Sequence, residues 1–193
     1  MNRALAVFNI NAGRKKALKY KKKLLIFLRE NFDGYKIINI DELCEEQVNK
    51  FNTIIAIGGD GTINKVLPYL IGTENVLGII PCGTANLLAA KLNIPENFDK
   101  ALKLIKSGKI CKIDAMDINK KASILRLGLG FDADIICKTP QSMKNKFGYF
   151  AYFIAGIIFA LRLKKKEYIL TLDEEIITVQ SSCIIVANAA NMY

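Results

Sequence analysis

Histidine is absent from this chain of 193 residues, and its absence excludes several kinds of chemistry. Without an imidazole the chain can form neither a Ser-His catalytic triad nor a histidine proton shuttle, and it lacks the commonest protein ligand of transition metals. A general base within this chain must therefore be a carboxylate, and a bound metal must be a hard cation held by oxygen atoms.

Cysteine is sparse and never closely paired. The five cysteines are scattered singly along the chain, with no Cys-x-x-Cys spacing. This pattern argues against a zinc site or a disulfide framework and favours a reducing compartment, so we expect a cytoplasmic protein. We interpret Cys82 as a small buried hydrophobic residue.

Negative charge is also in short supply. The chain has 28 lysines and arginines but only 18 acidic residues, which gives a formal net charge of +10. The basic residues crowd two segments, Arg14–Lys23 and Arg162–Lys166. They fit contact with nucleotide phosphates, attraction to an anionic membrane surface, or an ordinary solvated helix face. Nucleic acid is not expected as a partner, because aromatic residues do not alternate with the basic ones.

Hydrophobic runs long enough to span a membrane are missing as well. Met1–Phe8 is too short for a signal peptide and is interpreted as a buried strand. Phe147–Leu161 has no charged residue, but as a helix it would reach only about 22 Å of a hydrocarbon core of about 30 Å. We predict a buried helix there. A helix lying in the membrane interface, which would place the protein at the inner membrane surface, is the alternative.

The pattern of the first 108 residues predicts an α/β domain. Short apolar runs alternate with amphipathic segments, which indicates a parallel sheet with helical crossovers. The predicted strands are 3–9, 35–40, 53–57 and 76–80, and the predicted helices are about 14–31, 41–50, 62–71, 84–92 and 98–107. Residues 1–108 are therefore expected to form an α/β nucleotide-binding catalytic domain.

The pattern changes after Gly108 and predicts a second, β-rich domain. Lys109–Ile118 and Lys121–Leu127 suggest a hairpin, and further strands are predicted at Glu167–Leu172, Ile176–Gln180 and Cys183–Ala187. Residues 109–193 are expected to form part of a β-sandwich domain, with an inserted apolar helix at about 147–163.

The most informative stretch is Ile54–Asn64, which reads Ile-Ile-Ala-Ile-Gly-Gly-Asp-Gly-Thr-Ile-Asn. Its glycines leave the backbone unshielded, and the helix predicted from Thr62 offers free N–H groups to a phosphate. Asp60 could then hold a metal ion or its water shell against that phosphate. The alternative is a tight turn in which Asp60 and Thr62 cap the helix.

A second glycine turn follows the next strand. Val76–Ile80 is apolar and leads into Pro81-Cys82-Gly83-Thr84-Ala85-Asn86, after which a helical pattern begins. Ligands of open α/β sheets bind beyond the carboxyl ends of the strands. Two Gly-Thr turns on the same edge make a phosphate site much better supported than either turn alone.

The chain resembles the diacylglycerol kinase catalytic domain family, in its bacterial lipid kinase and sphingosine-kinase-like branch. The matching motifs are Gly58–Asn64, Gly83–Ala89, Ile113-Asp114 with Gly128–Ala133, and Lys146–Tyr149. The resemblance implies a nucleotide-binding domain followed by a β-sandwich, and an ATP-dependent lipid kinase that phosphorylates a diacylglycerol-like or sphingoid-like hydroxyl. ATP and Mg²⁺ are the implied cofactors, and a lipid is the implied substrate.

The resemblance also implies the site residues. Asp60 is the catalytic candidate and holds magnesium through water, while no residue is identified as a certain metal ligand. Because glycines make the turn, Asp60→Asn is expected to leave stability unchanged. The expected nucleotide-binding residues are Asn9, Gly58, Gly59, Asp60, Gly61, Thr62, Ile63, Asn64, Gly83, Thr84 and Asn86.

The chain departs from the family pattern at several positions. Lys65 stands where the family favours glutamate, and the chain ends at Tyr193, before the segment that holds the family's catalytic base. We therefore expect a kinase cut within its second domain. A catalytically inactive nucleotide-binding remnant or interaction module is the alternative, and an NAD kinase-like enzyme is a lesser one. A homodimer and contact with an anionic membrane stay open.

Overall fold

A computed structural model describes residues 2–9, 20–119, 121–140, 142–143, 150–160 and 163–188. The predicted helix start at residues 14–19 and the Lys146–Tyr149 motif lie outside the described residues. The chain divides into two compact units, one reaching to Leu125 and including Asn188, the other comprising Arg126–Ala187. The domain boundary placed at residue 108 stays a prediction.

The first unit is built on a four-stranded parallel sheet. Its strands are β1 (Arg3–Phe8), β2 (Gly34–Asn39), β3 (Thr53–Gly58) and β4 (Val76–Pro81), in the order β2-β1-β3-β4. The connecting helices are α1 (Lys21–Asn31), α2 (Glu45–Val48), α3 (Asp60–Val66), α4 (Leu87–Lys91) and α5 (Phe98–Lys106). The predicted α/β fold class is confirmed.

Each face of this sheet has its own hydrophobic core. Successive side chains of a strand point to opposite faces, so Leu5 and Val7 enter one core while Ala4 and Ala6 enter the other. The central strands are buried on both faces, which explains why they read as continuous apolar runs in the sequence.

The register of β3 and β4 aligns the two strand ends. Gly58, the last residue of β3, pairs with Pro81, the last residue of β4. The N–H of Cys82 then donates to the carbonyl of Gly58 at 2.8 Å. The two glycine turns therefore begin side by side, as the sequence predicts.

Three predicted helices are shorter in the structure. The helix predicted over 41–50 is a 3-10 turn (Ile40–Glu42) followed by α2, which covers only Glu45–Val48. The helix predicted over 62–71 starts at Asp60 and ends at Val66, where a 3-10 turn (Leu67–Tyr69) containing Pro68 takes over, because proline lacks the N–H that a further α-helical turn needs. The helix predicted over 84–92 covers only Leu87–Lys91, since Asn86 has a left-handed backbone with φ of 48°.

The predicted hairpin after Gly108 is much shorter than expected. Strand β5 (Met116–Ile118) pairs with β6 (Lys121–Ser123), so the prediction of a strand over 109–115 was wrong. The strand predicted over 121–127 is interrupted, because Ile124 turns into the first core. Asn188 fixes this bend: its side-chain amide donates to the carbonyls of Asp114 and Ile124 at 2.6 and 3.0 Å.

The second unit is antiparallel. Strand β7 (Arg126–Gly130) pairs with β10 (Cys183–Ala187), and β8 (Lys166–Leu172) pairs with β9 (Glu175–Ser181), which fits the predicted partial β-sandwich. It also contains α6 (Phe131–Lys138), which was not predicted, and α7 (Phe150–Ala160), the predicted apolar helix. The prediction that this helix is buried was wrong for one of its sides, since Phe150, Phe153, Ile157 and Ile158 are each more than half exposed. Among the described residues, no helix combines the length and apolar character needed to cross a membrane.

Candidate functional site

The two glycine turns are in direct backbone contact. A Cβ atom placed on Gly83 would lie 2.5 Å from the Cα of Gly59, and one placed on Gly59 would lie 2.9 Å from the Cα of Gly83. Neither position therefore has room for a side chain. The sequence predicted neighbouring turns, and the structure shows that their backbones touch.

Asp60 joins the two turns through its side chain. Its Oδ2 accepts the N–H of Leu87 and its Oδ1 accepts the N–H of Leu88, both at 3.1 Å. These N–H groups belong to the first turn of α4 and have no partner within that helix. The carboxylate thus caps the helix of the neighbouring turn, rather than its own, and its charge complements the helix dipole.

Thr62 is placed differently from what the sequence predicts. It does not cap α3, whose N-cap residue is Gly59, and its side chain is only 1% exposed. Its Oγ1 accepts a hydrogen bond from the Nδ2 of Asn9 at 3.1 Å. A Cβ on Gly58 would overlap that hydroxyl, so Gly58 makes room for the link between the first loop and the first glycine turn.

Asn86 closes the second turn. Its Oδ1 accepts the N–H of Gly83 at 2.8 Å, and its Nδ2 donates to the carbonyl of Gly83 at 3.2 Å. The Nδ2 also donates to Oε1 of Glu96 at 3.3 Å. Glu96 was not identified from the sequence. It lies ten residues after Asn86, in a segment that contains no motif typical of a binding site.

The remaining predicted site residues divide by exposure. Gly61, Asn64 and Thr84 are exposed, and apart from its chain neighbours and the backbone of its own helix no heavy atom lies within 4 Å of the position that a Cβ on Gly61 would take. Ile63 is buried in the core, so only its backbone could face a ligand. The assignment of these residues to a nucleotide stays a prediction.

Lys65 has a partner at the surface. Its Nζ lies 3.3 Å from Oδ1 of Asp41, and both side chains are more than half exposed. Such an exposed pair contributes at most about 1 kcal/mol to stability. The unusual lysine therefore pairs with an acidic residue that follows β2.

A dedicated metal cage is not present in the described part of the chain, where no three acidic or cysteine side chains gather. Mg²⁺ is often bound through one or two carboxylates together with water and phosphate oxygens. Asp60 is a single carboxylate that already accepts two N–H groups. It therefore fits a magnesium ion bound through a water molecule better than one bound directly by the carboxylate oxygens.

The Gly128–Ala133 motif has a structural explanation within the second unit. Oδ1 of Asp132 pairs with the guanidinium of Arg126 at 3.1 Å, and a Cβ on Gly128 would overlap the Asp132 carboxylate. Gly130 has φ of 71°, which suits glycine. The glycines therefore allow α6 to start close against β7.

These features define a parallel α/β protein with two touching glycine turns at the carboxyl edge of its sheet. The family model of the diacylglycerol kinase catalytic domain matches residues 3–118, more than half of the chain. The chain belongs to this family, and the resemblance seen in its motifs is confirmed.

Individual relatives agree with this assignment. The chain is 42% identical over 120 residues to the lipid kinase YegS of Escherichia coli K12, covering 58% of this chain and 40% of that protein. It is 39% identical over 137 residues to an uncharacterized protein, sll0036, of Synechocystis, covering 71% of this chain and 32% of the other.

A solved structure shares the fold. The crystal structure of a diacylglycerol kinase from Bacillus anthracis superposes with a TM-score of 0.76 at 25% sequence identity, covering 97% of this chain and 64% of that one. The chain thus spans less than two thirds of the length of each of these three proteins.

Proposed function

We propose that this chain forms the nucleotide-binding part of an ATP-dependent lipid kinase, which transfers a phosphoryl group from ATP to the hydroxyl of a diacylglycerol-like or sphingoid-like lipid. Membership in the diacylglycerol kinase catalytic domain family and similarity to the lipid kinase YegS support this proposal. A kinase family implies ATP as the phosphate donor.

The observation that supports the site best is the contact between the two glycine turns. Phosphoryl transfer depends mainly on positioning and on neutralising charge, so a nucleotide site needs a rigid backbone that phosphates can approach closely. Gly59 and Gly83 pack the turns together, Asp60 ties them, and the space beside Gly61 is open.

The residues divide into two roles under this proposal. The backbone from Gly58 to Gly61 and the exposed Thr84 and Asn64 would contact the nucleotide, whereas Asn9, Thr62 and Asn86 would hold the turns in shape. Bound Mg²⁺ would neutralise part of the phosphate charge. Asp60 would orient water around that ion while it holds α4.

A lipid substrate implies a setting for the reaction. We propose that the protein works in phospholipid metabolism on the cytoplasmic side of the membrane, in peripheral contact with its anionic surface. The net charge of +10 supports such contact. Nucleic acid is not part of this proposal, and a homodimer remains open.

Binding and turnover should be measured separately, because the chain spans only part of its relatives' length. Calorimetric titration with ATP and Mg²⁺ measures binding, and labelled ATP with a panel of diacylglycerol, sphingoid and other lipids measures transfer. We expect ATP binding and, where turnover occurs, a labelled lipid. Binding without transfer would favour an inactive nucleotide-binding module. Transfer to NAD or a sugar phosphate, with none to lipid, would contradict the proposal.

A further inference from the structure

The side-chain amide of Asn86 has a partner outside the second glycine turn. Asn86 is 5% exposed, and its Nδ2 donates to Oε1 of Glu96 at 3.3 Å. The two other bonds of this amide stay within the turn, since they join it to the N–H and the carbonyl of Gly83. A buried amide needs partners for its polar atoms, and Glu96 supplies one of them from a different segment of the chain.

The three bonds together select one orientation of the Asn86 amide. If the amide rotated by half a turn, its NH₂ group would face the N–H of Gly83, and its oxygen would face the Gly83 carbonyl and the Glu96 carboxylate. An ionised carboxylate only accepts hydrogen bonds, so Glu96 disfavours the rotated amide. The two bonds to Gly83 enclose Thr84 and Ala85, and they therefore fix the conformation of the loop that exposes Thr84.

The backbone on both sides of Glu96 is anchored. The N–H of Ile94 donates to a carbonyl of α4 at 2.8 Å. Asn97 is the N-cap residue of α5, and its side chain accepts an N–H of that helix at 3.1 Å. Phe98 is buried in the second core. Although Glu96 is exposed, its side chain extends from a fixed backbone, so less conformational entropy is lost when it meets Asn86.

We propose that Glu96 is a positioning residue for nucleotide binding, which acts through Asn86 to hold the second glycine turn in the conformation that binds the nucleotide. This role rests on the proposed function, in which Thr84 contacts the nucleotide. A negative charge close to bound phosphates would oppose binding, so the useful property of Glu96 is the hydrogen bond that it accepts. Losing that bond lowers the fraction of chains with a binding-competent turn, and the apparent affinity falls in proportion.

The experiment is a calorimetric titration of the 193-residue chain with ATP and Mg²⁺. Glu96→Ala should weaken ATP binding about fivefold, because the Asn86 amide loses an acceptor. Glu96→Gln should stay within about twofold of the unchanged chain, because the amide oxygen of glutamine can still accept the bond. A Glu96→Gln variant as weak as Glu96→Ala would overturn the proposal, since the charge or a direct contact with magnesium would then be responsible.

A second pair of variants tests whether Glu96 acts through Asn86. Asn86→Gly removes the side-chain amide while glycine still adopts the backbone φ of 48°. Adding Glu96→Ala to Asn86→Gly should change neither the ATP affinity by more than about twofold nor the urea midpoint of unfolding. In the unchanged chain, Glu96→Ala should lower both. The urea midpoint gives the comparison even where Asn86→Gly abolishes ATP binding, and equal losses in the two backgrounds would overturn the proposal.

Glu74→Ala is the matched control. Glu74 is an exposed glutamate two residues before β4, at the opposite end of the strand that leads into the second glycine turn. Its removal changes the net charge equally and should leave ATP affinity within about twofold of the unchanged chain. An equal loss in Glu74→Ala, or no loss in Glu96→Ala, would overturn the role of Glu96.

Failure of the proposed function gives a different result. If the unchanged chain binds no ATP, the nucleotide site is rejected and the role of Glu96 falls with it. If the unchanged chain binds ATP and Glu96→Ala binds it equally well, only the role of Glu96 is rejected. Transfer to an acceptor other than a lipid would reject the lipid kinase assignment and leave the role of Glu96 in ATP binding supported by the variants.

Discussion

Asp60 accepts the backbone N–H of Leu88 at 3.1 Å, although the two residues are 28 positions apart and belong to different turns. The second carboxylate oxygen accepts the neighbouring N–H of Leu87. The same side chain that the family resemblance associates with magnesium therefore also stabilises the start of α4. We therefore expect substitutions at Asp60 to change stability and, under the proposed function, magnesium-dependent nucleotide binding as well.

Asp60→Asn should destabilise the chain by about 1–2 kcal/mol, because an amide presents only one oxygen and its NH₂ group would face the second N–H. From the sequence alone this substitution was expected to leave stability unchanged, and the two hydrogen bonds of Asp60 change that expectation. Urea unfolding without magnesium measures the loss, and calorimetry should show weaker magnesium-dependent ATP binding.

A suitable control is Asp41→Asn, which removes an equal charge from the exposed pair with Lys65. It should cost at most about 1 kcal/mol and leave ATP binding unchanged. If Asp60→Asn is as stable as the unchanged chain, the hydrogen bonds to α4 do not form in solution.

Gly61→Ala should stabilise the chain while weakening ATP binding. Gly61 lies in α3 with open space around it, so alanine should add up to about 1 kcal/mol through helix propensity. The added methyl group would stand where phosphates are expected to approach the backbone. Thermal unfolding and ATP titration measure the two effects, and unchanged ATP affinity would show that the ligand does not approach at Gly61.

Gly83→Ala should destabilise the chain by about 1–3 kcal/mol, because its Cβ would clash with the Cα of Gly59, an atom that no rotamer change can move. Gly61→Ala is the matched substitution without a clash. Urea unfolding of both variants should give changes of opposite sign. A stable Gly83→Ala variant would mean that the two turns are further apart in solution.

Asn86→Ala should cost about 1 kcal/mol more than Asn86→Gly. Both variants lose the side-chain bonds to Gly83, but only glycine adopts φ of 48° without steric cost. Denaturant unfolding gives the difference. The same pair of substitutions at exposed Asn93, with φ of 54°, isolates the backbone contribution. Equal stability of the two Asn86 variants would contradict the left-handed turn.

The sequence determined the architecture of the first unit and the positions of both glycine turns. β-Branched apolar runs between amphipathic segments specify a buried parallel sheet, and glycine after a strand marks a turn, because both patterns depend on residues close together in the chain. The failures occur where pairing depends on distant partners. The strand predicted over 109–115 is absent, and Asn188 fixes a bend after Ser123.

Only the tertiary structure decided how the two turns are joined. No local pattern indicates that Asp60 caps α4, that Asn9 bonds to Thr62, or that Glu96 reaches Asn86. The Asp60 bonds exist because β3 and β4 are adjacent and end in register, and Asn9 meets Thr62 because β1 lies on the other side of β3. The sequence by itself determines the types of residue at the turns, whereas strand order and register determine which of their atoms meet.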